Sequence, residues 1–254
     1  MKTAPLDVVS PRPHDLSPLR RGWDRTRLLG AGVLATWAAM FWFLQLSGRL
    51  NLYLSTRTAW IVPTGAVVLS IGAVGAAVTA RRRARSSLTR GASVTAALLI
   101  APMILMAAAP PTTLGSFSSS RKTQFSGRGL WTYWGTFDEN SEITFFFVAA
   151  SKFWEGGADL LGQRAGDEAS FVGFAERWDS TPSDELVLTR FVVTCCVADA
   201  TPISIRVVNV PPGSVQQDSW IEVRGQVYPV GRDLIVVADS IEPAPTPDLP
   251  YITP

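Results

Sequence analysis

The sequence has few of the side chains on which most catalytic and metal-binding proteins depend. Its 254 residues include two cysteines and one histidine, which excludes a disulfide scaffold, a zinc ribbon and most histidine-based catalysis. Charged residues make up only 17%, against roughly 25% in an ordinary soluble chain. The net charge of +2 is too small to favour nucleic-acid binding. The composition therefore predicts a membrane protein that is not an enzyme and has no nucleic-acid partner.

Acidic residues are scarce in the first half of the chain, where only Asp7, Asp15 and Asp24 precede Asp138. Three long apolar runs lie in the same half, and each approaches the ~20 residues that a membrane-spanning helix needs. The third run contains Pro102, which membrane helices tolerate. The predicted organisation is a disordered tail at 1–27, a transmembrane domain at 28–109 with spans at about 28–46, 59–80 and 92–109, a linker at 110–129, and a β-barrel domain at 130–254.

Arginines indicate the orientation of these spans. They cluster before the first run and between the second and third, whereas the loop between the first two runs holds only Arg49 and Arg57. The positive-inside rule then puts the N-terminus in the cytoplasm, and three spans make the C-terminal domain extracytoplasmic. If the third run lies on the membrane surface instead, that domain is cytoplasmic. No span carries Asp, Glu, Lys or His, so this chain is not expected to form a transport pathway itself.

The second half of the chain reads as short strands, predicted at 170–178, 185–197, 203–210, 220–227 and 234–241. Alternation is clear where Ile221 and Val223 share one face and Glu222 and Arg224 the other. The fold class predicted is an α+β membrane protein, with N-terminal transmembrane helices followed by a small all-β, OB-like Greek-key barrel. An immunoglobulin-like sandwich is the alternative, but it usually has ~7 strands. The aromatic segment 130–147 belongs either to the membrane interface or to the barrel core.

The pair Cys195–Cys196 is the most distinctive chemical feature of this half. In a continuous strand Cys195 faces the core and Cys196 the opposite side, because successive side chains alternate. Three interpretations stay open: inert packing, redox chemistry, and a soft-metal site formed by Cys195, Cys196 and Asp199. A metal such as zinc usually takes three or four ligands, so this last site would be completed by a partner.

Several short motifs resemble a bacterial family of membrane proteins described as permease subunits, the YcgQ-like family. Its most distinctive match is the string Cys-Cys-x-Ala-Asp-Ala at 195–200. The other matching segments are Ser47-Gly48-Arg49-Leu50 with Tyr53, Pro110-Pro111 with Leu114-Gly115-Ser116, Arg190-Phe191, Asp218-Ser219-Trp220 with Val223-Arg224-Gly225, and Pro250-Tyr251.

The resemblance implies a partner, since such proteins are typically encoded beside a multi-span permease. It implies an accessory, non-pore subunit of a two-component complex in the bacterial cell membrane, with a link to metal handling. The alternative function is a membrane-tethered protein that binds a soft metal or a thiol without a permease. On either reading the chain is a multi-pass protein in contact with the lipid bilayer.

Overall fold

The computed structural model describes residues 23–81, 88–108, 112–122, 141–151, 156–231 and 233–253. The chain divides into two compact units. One consists of Met1–Met40 and Gly65–Ala108, and the other of Phe41–Thr64 and Ala109–Pro254. The second unit therefore contains the ends of two membrane helices and the loop between them as well as the C-terminal domain.

Three long helices occupy the predicted apolar runs: α1 (Arg25–Leu46), α2 (Ile61–Ala80) and α3 (Arg90–Ala108). Each is long and apolar enough to cross a membrane, and a helix satisfies its backbone internally, as a bilayer requires. The helix α1 begins within the predicted tail, because the Asp24 carboxylate caps it by accepting the N–H groups of Thr26 and Arg27 at 3.1 Å each. The chain is therefore a multi-pass membrane protein.

The C-terminal domain is a closed five-stranded barrel with strand order β1-β2-β3-β5-β4. Its β3 and β5 are parallel, and the other neighbours are antiparallel. The closed barrel after three helices confirms the predicted fold class. The alternative, a two-sheet sandwich, is wrong. The strands are β1 (Glu168–Glu176), β2 (Glu185–Val192), β3 (Thr201–Val208), β4 (Trp220–Val230) and β5 (Asp233–Pro243).

Short helices precede the barrel: α4 (Ser116–Ser119), α5 (Phe145–Ser151) and α6 (Gly157–Gly162). Phe145 and Phe147 of α5 are buried in the barrel core, and the ring of Phe145 meets that of Phe171 edge to face, with centroids 5.5 Å apart. This end of the aromatic segment thus packs on the core rather than at a membrane interface. The other aromatic residues of this segment, Trp131, Tyr133 and Trp134, lie outside the described residues.

The predicted alternation in β4 is confirmed, since its inward residues Ile221, Val223 and Val227 are buried. The pairing of β4 with β5 shifts register between Arg224 and Gly225. At this bulge a Cβ on Gly225 would lie 2.0 Å from the Val237 carbonyl oxygen. Only glycine fits at this bulge. A glycine in the interior of a strand often marks a bend of this kind.

Candidate functional site

The two cysteines lie in a loop, residues 193–200, which we call the cysteine loop. The sequence predicts that the second strand continues to residue 197, and this is wrong, because β2 ends at Val192. Val192 already pairs with Thr201, the first residue of β3. The intervening residues therefore form the connection between β2 and β3, where strand alternation does not apply.

Asp199 fixes the shape of the cysteine loop. Its Oδ1 accepts the N–H of Thr194 at 3.0 Å and its Oδ2 the N–H of Cys195 at 2.8 Å. Burial acts to raise the pKa of Asp199, but the hydrogen bonds from Cys195, Thr194 and Cys196 outweigh burial and lower that pKa below its ordinary value. Asp199 is thus an ionised cap of the loop, with both oxygens engaged by backbone groups.

The thiols are arranged differently from the alternation prediction. Cys195 was expected in the core, yet it is exposed, while Cys196 is half-buried. The two Sγ atoms are 3.6 Å apart. The pKa of the Cys195 thiol is raised to about 12. The largest cause is its hydrogen bond to the Asp199 carboxylate, and the second is its hydrogen bond to Cys196. Cys195 is therefore a protonated thiol at neutral pH, whereas the thiolate is the form that reacts and binds metals.

Among the residues that the structure describes, no three or more His, Cys, Asp or Glu side chains are arranged to hold a metal ion. Cys195, Cys196 and Asp199 lie together, but the two carboxylate oxygens of Asp199 already accept backbone N–H groups. The metal site and the redox site both stay predictions. The hydrogen bonds show a loop whose conformation is stabilised by the Asp199 carboxylate.

The loop between α1 and α2, residues 47–60, docks directly on the cysteine loop; we call it the membrane loop. Leu54 and Cys196 form an isolated antiparallel bridge, so the membrane loop pairs with the cysteine loop through one residue. Sequence reasoning missed this contact. The bonds that make it are Ser55 N–H to the Cys195 carbonyl at 3.1 Å, Val197 N–H to the Tyr53 carbonyl at 2.9 Å, and Thr58 Oγ1–H to the Cys195 carbonyl at 2.6 Å.

The segment that follows α3, residues 112–122, also docks on the barrel; we call it the linker segment. The Asp218 carboxylate accepts the N–H of Ser116 at 2.7 Å and its hydroxyl at 2.9 Å. A Cβ on Gly115 would lie 2.7 Å from Asp218 Oδ1, so only glycine lets the carboxylate approach. The Gly115-Ser116 and Asp218 motifs, distant in sequence, are thus two halves of one contact.

The far end of the linker segment reaches the cysteine loop. Lys122 Nζ donates to the carbonyl oxygens of Val197 at 3.2 Å and Ala198 at 3.1 Å. These carbonyls belong to the 3-10 helix Val197–Asp199. A cation near exposed carbonyl oxygens is favourable, so Lys122 attaches the linker segment to the same loop that binds the membrane loop.

Residues 249–251, near the C-terminus, contact both β2 and the linker segment. Arg190 donates from Nε to the Pro250 carbonyl at 3.2 Å and from Nη2 to the Leu249 carbonyl at 2.6 Å. The Tyr251 hydroxyl accepts the N–H of Leu114 at 3.2 Å. A second, smaller core lies under these contacts, formed by Phe174, Phe191, Val193, Ala200 and Tyr251, with Leu114, Val197 and Trp220 packed against it.

Described residues from several of the segments that carry the family resemblance therefore meet in one part of the second unit. The cysteine loop joins the membrane loop, the linker segment docks beside it, and the C-terminus packs on the core below. Sequence reasoning selected the cysteines but missed Thr58 and Lys122, whose partners are the backbone carbonyls of the cysteine loop. No local pattern marks such partners.

Comparison with known proteins gives one family model that matches the barrel. A search among curated proteins gives no match. The family model that matches covers every strand of the barrel and the cysteine loop. Residues 157–254 match the model of the DUF1980 C-terminal domain family.

Proposed function

We propose that the protein is a non-enzymatic accessory subunit of a two-component membrane permease complex. Its spans bind a multi-span permease, and its barrel lies on the extracytoplasmic side of the same complex. The observation that carries this proposal is the backbone bridge between Leu54 of the membrane loop and Cys196 of the barrel. The barrel thus contacts the membrane loop as well as its own linker segment.

The composition of the spans supports a role outside the transport pathway. The helices α1, α2 and α3 contain no Asp, Glu, Lys or His. Ionisable groups within the membrane are typical of proton and ion pathways. The apolar side chains of these three helices are highly exposed, as at Ile71 (67%) and Leu105 (70%). Such surfaces suit contact with lipid or with the helices of a partner. The partner therefore supplies the pathway in this proposal.

We assign the cysteine loop to attachment rather than to metal binding. Asp199 is engaged by the backbone of the loop, and the raised pKa of Cys195 keeps its thiol protonated. The carbonyl of Cys195 accepts hydrogen bonds from Ser55 and Thr58. The Cys-Cys-x-Ala-Asp-Ala motif is thus explained as the part of the barrel that receives the membrane loop.

The orientation proposed is a cytoplasmic N-terminus and an extracytoplasmic barrel. Hydrogen bonds between the membrane loop and the cysteine loop require both to be on one side of the membrane. The same loop is the arginine-poor one, which the positive-inside rule places outside the cytoplasm. Alkaline phosphatase fused after Thr253 is expected to be active, as this enzyme needs an oxidising compartment; activity of a cytoplasmic reporter at that position would contradict the orientation.

Co-purification tests the function. The full chain, tagged and extracted from its native membrane in mild detergent, is expected to bring down a multi-span membrane protein in fixed stoichiometry. A matched variant replaces residues 25–40 and 65–108 with unrelated apolar helices and keeps the membrane loop and barrel. Because we propose that the spans form the contact, this variant should lose the partner. A chain that purifies alone, or a partner retained by the variant, would contradict the proposal.

A further inference from the structure

A carboxyl group is buried where the linker segment meets the barrel. Glu176, the last residue of β1, is only 1% exposed. Its Oε2 accepts the hydroxyl of Ser119 at 3.2 Å. Its Oε1 is buried and has no hydrogen-bond partner among the described residues. Burying an ionised carboxylate with an unpaired oxygen costs free energy. Packing alone therefore does not explain why a glutamate occupies this position.

The groups that act on Glu176 come from several elements. Ser119 lies on α4, Thr189 on β2, and Asp218 in the loop before β4, and of these only Asp218 is charged. The guanidinium of the next residue, Arg177, donates to the Ser183 carbonyl. Burial, more than any other cause, raises the pKa of Glu176 to about 7, and Asp218 adds to the rise, while the hydroxyl groups of Ser119 and Thr189 oppose it.

The helix α4 lies between the two carboxyl groups. Asp218 binds its first residue, Ser116, and Glu176 binds its last, Ser119. The charge on Glu176 therefore bears directly on how the linker segment is held. When Glu176 is neutral, its carboxyl can stay buried and its own proton becomes available as a donor. When Glu176 is ionised, exposure to water becomes favourable, and lifting the linker segment provides that exposure.

We propose that Glu176 is a proton-binding site that controls how firmly the linker segment is attached to the barrel. The ligand is a proton. Binding closes the contact, and release loosens it. The site makes attachment of the linker segment responsive to the pH on the side of the membrane that the barrel faces. This inference does not depend on the permease role.

The sign of the effect follows from linkage. Opening exposes Glu176 and returns its pKa towards 4.5 from about 7, so the open state binds protons less well. Opening is then suppressed at low pH and increases as pH rises between these two values. The extent of opening levels off once the pH exceeds the pKa of about 7 in the closed state. Linkage predicts an increase on the order of tenfold between roughly pH 5.5 and pH 7.5.

Hydrogen exchange of the full chain in detergent tests the proposal. The amides to follow are those of Ser118, Ser119 and Ser120, which are hydrogen-bonded around α4, with rates corrected for the intrinsic pH dependence of exchange. In the wild type their protection should fall on the order of tenfold over that pH range. In Glu176→Gln protection should stay at the level of the closed state at every pH. The exposed Glu168 lies on the same strand, and Glu168→Gln should behave as wild type.

A second measurement uses the wild-type residue and needs no variant at that position. Infrared titration should show one buried carboxylic acid that loses its proton near neutral pH. Asp218→Asn removes a negative charge and should move this midpoint to lower pH. Equal pH dependence in wild type and Glu176→Gln, no pH dependence in the wild type, or no carboxyl titrating near neutral pH would overturn the proposal.

Discussion

Asparagine in place of Asp199 is expected to raise the rate at which Cys195 reacts with an alkylating reagent by up to about 30-fold near pH 8. The Asp199 carboxylate is the largest cause of the rise of the Cys195 pKa from 9.0 to about 12. Removing that cause increases the thiolate fraction by up to roughly 1000-fold, while the lower basicity of the thiolate cancels about half of this gain on a logarithmic scale. Cys195 is already exposed, so access does not limit the rate.

The reaction is followed in a Cys196→Ser background, so that only one thiol can react. The matched control is Asp239→Asn, since Asp239 is an exposed aspartate on β5 and should leave the rate unchanged. Loss of the acceptor for Thr194 and Cys195 N–H groups also weakens the loop, so both variants are compared well below their unfolding temperatures. An unchanged rate in Asp199→Asn would mean that the aspartate does not control the thiol.

Alanine in place of Gly225 is expected to destabilise the barrel by about 3 kcal/mol or more. The added Cβ would lie 2.0 Å from the Val237 carbonyl oxygen and 2.9 Å from its carbon. Because these are backbone atoms, relief requires that β4 and β5 separate at the bulge. That separation costs sheet pairing as well as packing, which is why the effect exceeds that of an ordinary surface substitution.

Unfolding of the full chain in detergent, followed by the sheet signal in circular dichroism, measures this loss. Gly162→Ala is the matched control. A Cβ on Gly162 meets no heavy atom within 4 Å, and its backbone needs no left-handed conformation. We expect it to change stability by less than about 0.5 kcal/mol. Equal stability of the two variants would contradict the bulge geometry.

Local patterns were sufficient for much of the fold. Long apolar runs predict α1 to α3, because a membrane-spanning helix depends on its own composition and length. Period-two alternation predicts β4, where Ile221 and Val223 point inward. Both signals are carried by neighbouring residues and need no knowledge of distant partners.

The error in β2 shows where such patterns fail. Residues 193–197 have the β-branched and cysteine side chains of a buried strand, yet they form a loop because Asp199 accepts the N–H groups of Thr194 and Cys195. The Cys195 carbonyl is taken by Thr58, which is 137 residues away in sequence. Contacts over such separations are set by tertiary structure and override local preference.

The candidate site was found by its unusual composition but interpreted from the wrong geometry. Two adjacent cysteines draw attention because of their chemistry, whereas in the structure their backbone makes the contacts with the membrane loop. Glu176 gave no such signal. An acidic residue at the end of a strand is usually exposed, and its burial depends on Ser119 of the linker segment, which no sequence period reveals.

A disulfide cross-link can show whether the membrane loop is bound to the cysteine loop. Leu54 and Cys196 form a bridge in which the N–H groups of the following residues, Ser55 and Val197, donate to the carbonyls of Cys195 and Tyr53. This is a non-hydrogen-bonded antiparallel pair, whose Cα atoms lie about 4.5 Å apart. A disulfide fits that separation.

The measurement is the yield of disulfide between Leu54→Cys and native Cys196 under mild oxidation, in a Cys195→Ser background of the full chain. Mass spectrometry of the linked peptides reports it. We expect nearly complete formation with Leu54→Cys. We expect none with Leu46→Cys, which places a thiol at the exposed end of α1. No link at Leu54→Cys, while both thiols remain open to a small alkylating reagent, would contradict the docking of the membrane loop on the cysteine loop.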